Sequence, residues 1–157
     1  MVLANNTEHY LLCFLSRSYH EALKNKEAAV MVHFKIDENG NYKVLGAPKT
    51  PLLFYSRPKG DYIGKDTGKV LLDYYIYNGK LSKSGYKVMA EISNTTTPGR
   101  ELSTELSTWE ANFIENLGTG KCKVALTLVD KKGNKVNGPM STAVREFNLS
   151  ATDVLKK

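Results

Sequence analysis

The sequence predicts a mostly β protein, with an immunoglobulin-like β-sandwich in residues 69–157 and a smaller strand-rich segment in residues 1–68. Apolar runs recur at intervals of roughly 8 to 12 residues and are separated by turn residues, as in β-sandwiches. Nine tyrosines among 157 residues favour strands, because aromatic side chains fit a pleated surface. In the run Cys122–Leu128, Cys122, Val124, Leu126 and Leu128 alternate with Lys123, Ala125 and Thr127, which indicates a strand with one face toward a core.

The segment 1–68 is predicted to be a partial, incomplete β-sandwich. Its first strand, His9–Ser16, is apolar at most positions, which predicts burial on both faces. A second strand is expected over Ala29–Ile36, and Tyr42–Leu45 should pair back across the Asn39-Gly40 turn. A proline-containing connector then leads to a further apolar strand that ends at Ser56-Arg57.

The polar, glycine-bearing stretch 58–68 predicts a linker, and the domain boundary is placed at its end. The sandwich after it has five expected strands: Val70–Tyr77, Tyr86–Ile92, Ala111–Leu117, Lys121–Val129 and Ala143–Leu149. Trp109 should cover the open end of the core, where its ring N–H can find a partner. Residues 95–100 indicate an inserted loop, and residues 151–155 a short frayed or helical tail.

One short phrase occurs twice, and it supplies the candidate binding site. Each of two apolar strands ends in Ser-Arg, at Ser16-Arg17 and at Ser56-Arg57. If the two strand ends lay together, guanidinium groups and hydroxyls could bind an anion by two-point contacts. The predicted anion-binding residues are Ser16, Arg17, Ser18, Tyr19, His20, Arg57 and Lys59.

The alternative for these residues is structural. Polar residues after a strand usually stabilise the turn that follows. Arg17 and Arg57 would then pair with nearby carboxylates such as Glu21 and Asp61.

Composition and motifs argue against several functional classes. The formal net charge is +6, but the lysines are scattered among turns rather than concentrated on one face, so no nucleic-acid partner is expected. No apolar run reaches the ~20 residues of a membrane-spanning helix. The sequence contains no nucleophile elbow and no phosphate loop, so neither catalysis nor a cofactor is expected. No metal site is expected either, because His9, His20 and His33 lack the spacing of ligands on one strand.

Two cysteines, Cys13 and Cys122, lie in strand-like apolar runs without metal-ligand or redox spacing. Both are predicted to be small buried hydrophobic residues. A disulfide between them stays open as an alternative in an oxidising compartment.

Several phrases resemble a little-characterised family of bacterial cell-envelope proteins and lipoproteins, some of which are labelled phosphopeptide-binding. The resemblance covers nearly the whole chain and is carried by Leu71–Tyr75, Leu81–Val88, Trp109–Leu117 and Leu128–Asn134. It implies a periplasmic or cell-envelope location. Members of the family carry a leader and additional first strands that this sequence lacks, so we expect open sheet edges and a homo-oligomer formed through the N-terminal strands.

These observations predict a non-catalytic binding or interaction module of the bacterial envelope that recognises an anionic or protein ligand. One alternative is a structural module that assembles through its own sheet edges. Another is an accessory carbohydrate-binding domain, which only Tyr62, Tyr75 and Tyr77, expected to be exposed, support.

Overall fold

The computed structural model describes residues 3–151 and confirms a mostly β protein. In this part of the chain, no helix is long and apolar enough to cross a membrane. The strands are β1 Thr7–Phe14, β2 Ala29–Ile36, β3 Tyr42–Val44, β4 Leu52–Arg57, β5 Gly60–Ile63, β6 Lys69–Tyr77, β7 Lys87–Asn94, β8 Glu101–Leu106, β9 Asn112–Glu115, β10 Gly120–Val129 and β11 Thr142–Ser150, with short 3-10 helices at Lys26–Ala28 and Gly64–Thr67.

Two sheets enclose the main core in a sandwich-like arrangement. The five-stranded sheet has the order β5-β11-β10-β7-β8, and the middle sheet has the order β4-β6-β9. Pairing is antiparallel except between β5 and β11, which run parallel. Alternate residues of each sheet point inward, and those of β10 are fully buried: Cys122, Val124, Leu126 and Leu128.

A third layer lies on the outer side of the middle sheet. This N-terminal sheet has the order β1-β2-β3. One of its faces, including Leu12, Phe14 and Met31, packs against Phe54 and Tyr75 of the middle sheet. Strand β6 is therefore buried on both faces, with Tyr74 in the main core and Tyr75 in the second.

Most sequence-predicted strands are confirmed, including all five expected in residues 69–157. Strand β8 was missed, because its exposed residues from Glu101 to Glu105 give a weak apolar pattern. The stretch expected to be a linker contains β5 and a 3-10 helix, and β5 pairs with β11. Thus β4 and β5 hydrogen-bond with strands beyond the predicted boundary at residue 68. Residues 152–155 of the predicted tail lie outside the described residues.

Two predictions about burial in the first strand are wrong. Strand β1 is covered on one face only, and Leu11 on the other face is 42% exposed. Cys13 shares that exposed face, whereas Cys122 is buried in β10, and both thiols are free. An apolar run shows that a strand could be buried on both faces, but a second covering layer has to exist for that to happen.

Candidate functional site

The first group of predicted anion-binding residues forms a hairpin after β1. Ser16 bridges to Ala22, and the Arg17 backbone N–H donates to the Glu21 carbonyl at 2.9 Å. His20 lies at the turn with φ +72°, in the left-handed region. Ser16, Arg17, Ser18, Tyr19 and His20 are all exposed, so the segment presents these side chains to solvent.

The positive charge of Arg17 is paired within this hairpin. Its Nε lies 3.2 Å from Glu21 Oε2, and the Tyr19 hydroxyl donates to the same oxygen. This hydrogen bond raises the pKa of Tyr19 above its ordinary value. The alternative interpretation of Arg17, as the partner of Glu21, is therefore observed.

The second group follows β4. Arg57 lies opposite Asp73 of β6 in the strand register, and the expected ion pair with Asp61 is not found among residues 3–151. The backbone N–H of Lys59 donates to the Tyr62 hydroxyl at 3.3 Å. Binding of an anion by the seven residues stays a prediction.

Two of the predicted residues do line a common cavity. Tyr19 and His20 border a depression of about 460 Å³ together with Tyr62 and Phe113. Lys69 also lines it, and its ammonium lies 4.4 Å from the centre of the Phe113 ring.

Asp73 connects the N-terminal segment to the sandwich. It is only 2% exposed, accepts a hydrogen bond from the Ala22 backbone N–H at 3.2 Å, and binds the Lys24 ammonium at 2.7 Å. Lys24 also donates to the Tyr74 carbonyl at 2.5 Å. Asp73 is buried because the N-terminal segment covers the side of the middle sheet that faces away from the main core.

Beside this ion pair lies a second cavity, which we call the aromatic groove. It has a volume of about 520 Å³ and is lined by Lys24, Tyr75, Tyr77, Asn78, Lys80 and Trp109, among others. The Lys24 ammonium lies 5.6 Å from the centre of the Trp109 ring. Tyr75 and Tyr77 are predicted to be exposed, but Tyr77 is partly buried and Tyr75 is only 7% exposed, and burial raises the pKa of the Tyr75 hydroxyl.

The N-terminal sheet has an apolar outer face directed away from the sandwich. Alternation and register place ten side chains on it, and two of them, Thr7 and Ile36, lie at one end, where Ile36 is only 9% exposed. The other eight define the outer face: His9, Leu11, Cys13, Val30, Val32, Phe34, Tyr42 and Val44. Val30 and Val44 are 64% and 61% exposed. The opposite face packs on the middle sheet through Leu12, Phe14 and Met31, whereas no described residue covers Val30 and Val44 on the outer face.

Among residues 3–151, no group of three or more His, Cys, Asp and Glu side chains is arranged to hold a metal ion. Comparisons of the chain with protein-family models, with curated proteins and with solved structures found no match.

Proposed function

We infer that this protein is a non-catalytic interaction module that dimerises by packing the outer face of its N-terminal sheet against the same face of a second copy. The observation that carries this proposal is the exposed outer face. Sheet faces of this kind are normally covered, since burying apolar surface is the main favourable term in association.

The size of the outer face supports a reversible dimer. Its longer strands have eight residues, so at about 3.3 Å per residue and ~4.8 Å between three strands it spans about 26 by 14 Å, or ~370 Å² in projection. That is below the ~800 Å² per partner of standard interfaces. We therefore expect a dissociation constant on the order of micromolar rather than a permanent dimer.

Charge placement favours a second copy as the occupant. The chain has a net charge of +6, but Lys35 and Lys43 alternate onto the opposite face of the N-terminal sheet. Two outer faces can thus meet without bringing lysines together. A membrane-binding face would instead be flanked by Lys or Arg side chains that meet anionic lipid.

Two finer expectations belong to the same proposal. The antiparallel order β11-β10-β7-β8 packed on the middle sheet supports an immunoglobulin-like topology for the sandwich. A bacterial cell-envelope location rests on the sequence resemblance alone.

The test is the oligomeric state. We expect sedimentation equilibrium at micromolar concentrations to show a concentration-dependent rise toward twice the chain mass. Val32→Lys should keep the protein monomeric, because it places a charge in the centre of the interface. The matched control is Val144→Lys on β11, a valine that is also exposed, and it should dimerise like the wild type.

Circular dichroism spectra of both variants serve as the control that each variant is folded. A wild-type monomer throughout the micromolar range would contradict the proposal, as would equal loss of dimer in both variants. Because the net charge of +6 attracts any anionic surface, co-sedimentation with phosphatidylglycerol vesicles would assign the face to a membrane, and overturn the proposal, if Val32→Lys abolished it and Val144→Lys did not.

A further inference from the structure

The aromatic groove has the dimensions and composition of a ligand site. Its volume of about 520 Å³ falls in the range of ~300–1,000 Å³ typical of small-molecule pockets. It lies where the N-terminal segment meets the sandwich: Lys24 comes from the former, and Tyr75, Tyr77 and Trp109 from the latter. Grooves between structural layers are frequent locations for ligands.

Three aromatic rings form one side of the groove. The Tyr75 and Trp109 ring centres are 6.2 Å apart with an angle of 34° between the planes, so the rings form a splayed surface rather than a closed stack. The face of an aromatic ring carries partial negative charge. It attracts the C–H bonds on the flat side of a sugar ring, whose hydrogens are partly positive.

The charges around the groove select for an anion. Two lysines and no Asp or Glu line it. Lys24 has a side chain only 15% exposed and uses two of its three donors on Asp73 and the Tyr74 carbonyl. Lys80 is exposed and makes no ion pair with any residue in the range 3–151, which leaves its positive charge available to a ligand.

A cationic ligand is disfavoured because the Lys24 ammonium already lies over the Trp109 ring. A nucleic-acid strand is disfavoured because such sites use several Lys or Arg residues along the phosphate backbone. Only Lys80 offers an uncommitted charge here. The Asn78 amide N–H already donates to the Pro48 carbonyl, so the available groups are the Lys80 ammonium and the Tyr77 side chain. One available cation beside an aromatic ring suits sugar rings that carry isolated negative charges.

We propose that the aromatic groove binds an acidic oligosaccharide, with a sugar ring against Tyr77 and a carboxylate at Lys80. This site shares no residue with the outer face. Binding therefore persists in the monomeric Val32→Lys variant, and a failure of the dimer proposal leaves this one intact.

The experiment compares tetragalacturonate with its methyl ester, which has the same rings without the charges. Trp109 is the only tryptophan of the chain, so its fluorescence reports directly on the groove. We expect saturable binding of the acid, with about tenfold weaker binding of the ester. Lys80→Gln should weaken binding of the acid about fivefold and leave binding of the ester unchanged.

Two further variants separate the sugar and charge contributions. Tyr77→Ala should weaken binding of both probes, while Lys131→Gln, which removes the same charge from a turn that does not line the groove, should change neither. The proposal would be overturned if Trp109 fluorescence showed no saturable change up to about 10 mM tetragalacturonate, because binding weaker than that is not specific. Equal effects of Lys80→Gln and Lys131→Gln, or tighter binding of oligothymidylate than of the acid, would also overturn it.

Discussion

Whether an individual side chain is buried depends on which segment packs over it, and Asp73 is the clearest case. Its position in β6 directs it away from the main core, as the period of two in a strand requires. The carboxylate is nevertheless buried, because Ala22 and Lys24 lie over it. Arg17 differs from Asp73 because its partner is local. Glu21 is only four residues away, so the pair could be anticipated from the sequence.

Asp73→Ala should lower the free energy of unfolding by about 3–5 kcal/mol, because it leaves the partly buried Lys24 ammonium without its carboxylate. The measurement is urea denaturation at neutral pH. Glu105→Ala is the control, since Glu105 is 45% exposed in its pair with Lys87 and should cost at most about 1 kcal/mol. Equal losses in the two variants would show that the Lys24–Asp73 pair has no special role.

At the scale of elements, hydrophobic alternation predicted strand positions well but not the environment of each face. Strand β2 is observed with the predicted bounds Ala29–Ile36. Strand β1 is predicted to be buried on both faces but is covered on one face only. In β6, Asp73 points away from the main core and is nevertheless buried under the N-terminal segment. Alternation separates two faces, whereas the layer that lies over each face depends on distant parts of the chain.

Neighbouring leucines on β6 provide a matched test of this account. Leu72 lies in the main core and is 4% exposed. Leu71 is only partly buried and lines the cavity of about 460 Å³ that Tyr19 and His20 border. Leu72→Ala should destabilise the fold by about 2–5 kcal/mol through the cavity it leaves. Leu71→Ala should cost about 1 kcal/mol or less, in proportion to its smaller burial. Thermal and urea unfolding measure both values, and a reversed order would contradict the assigned faces.

For the whole molecule, the middle sheet links the N-terminal sheet to the five-stranded sheet. Leu52 and Leu53 of β4 belong to different cores, so one strand contributes to both at once. A division of the chain at residue 68 would separate β4 and β5 from β6 and β11. The three layers are thus connected by shared strands rather than by a linker.

We therefore expect the chain to unfold in one cooperative transition. Trp109 fluorescence, which reports on the region between the layers, and far-UV circular dichroism, which reports on all strands, should give the same urea midpoint. Asp73→Ala should shift both curves together. Separate midpoints for the two signals would instead support independent domains with a boundary near residue 68.

The sequence alone determined the mostly β character and most strand positions, because these follow from side-chain period. It also offered the Arg17–Glu21 pairing as one of two alternatives, because the two residues are near neighbours along the chain. Only the tertiary structure decided that Asp73 is buried, that β5 joins β11, that Trp109 meets Tyr75 in a groove, and that the outer face of the N-terminal sheet is uncovered. Each of these depends on contacts between residues far apart in sequence, and the local pattern of one strand carries no information about which distant segment packs on it.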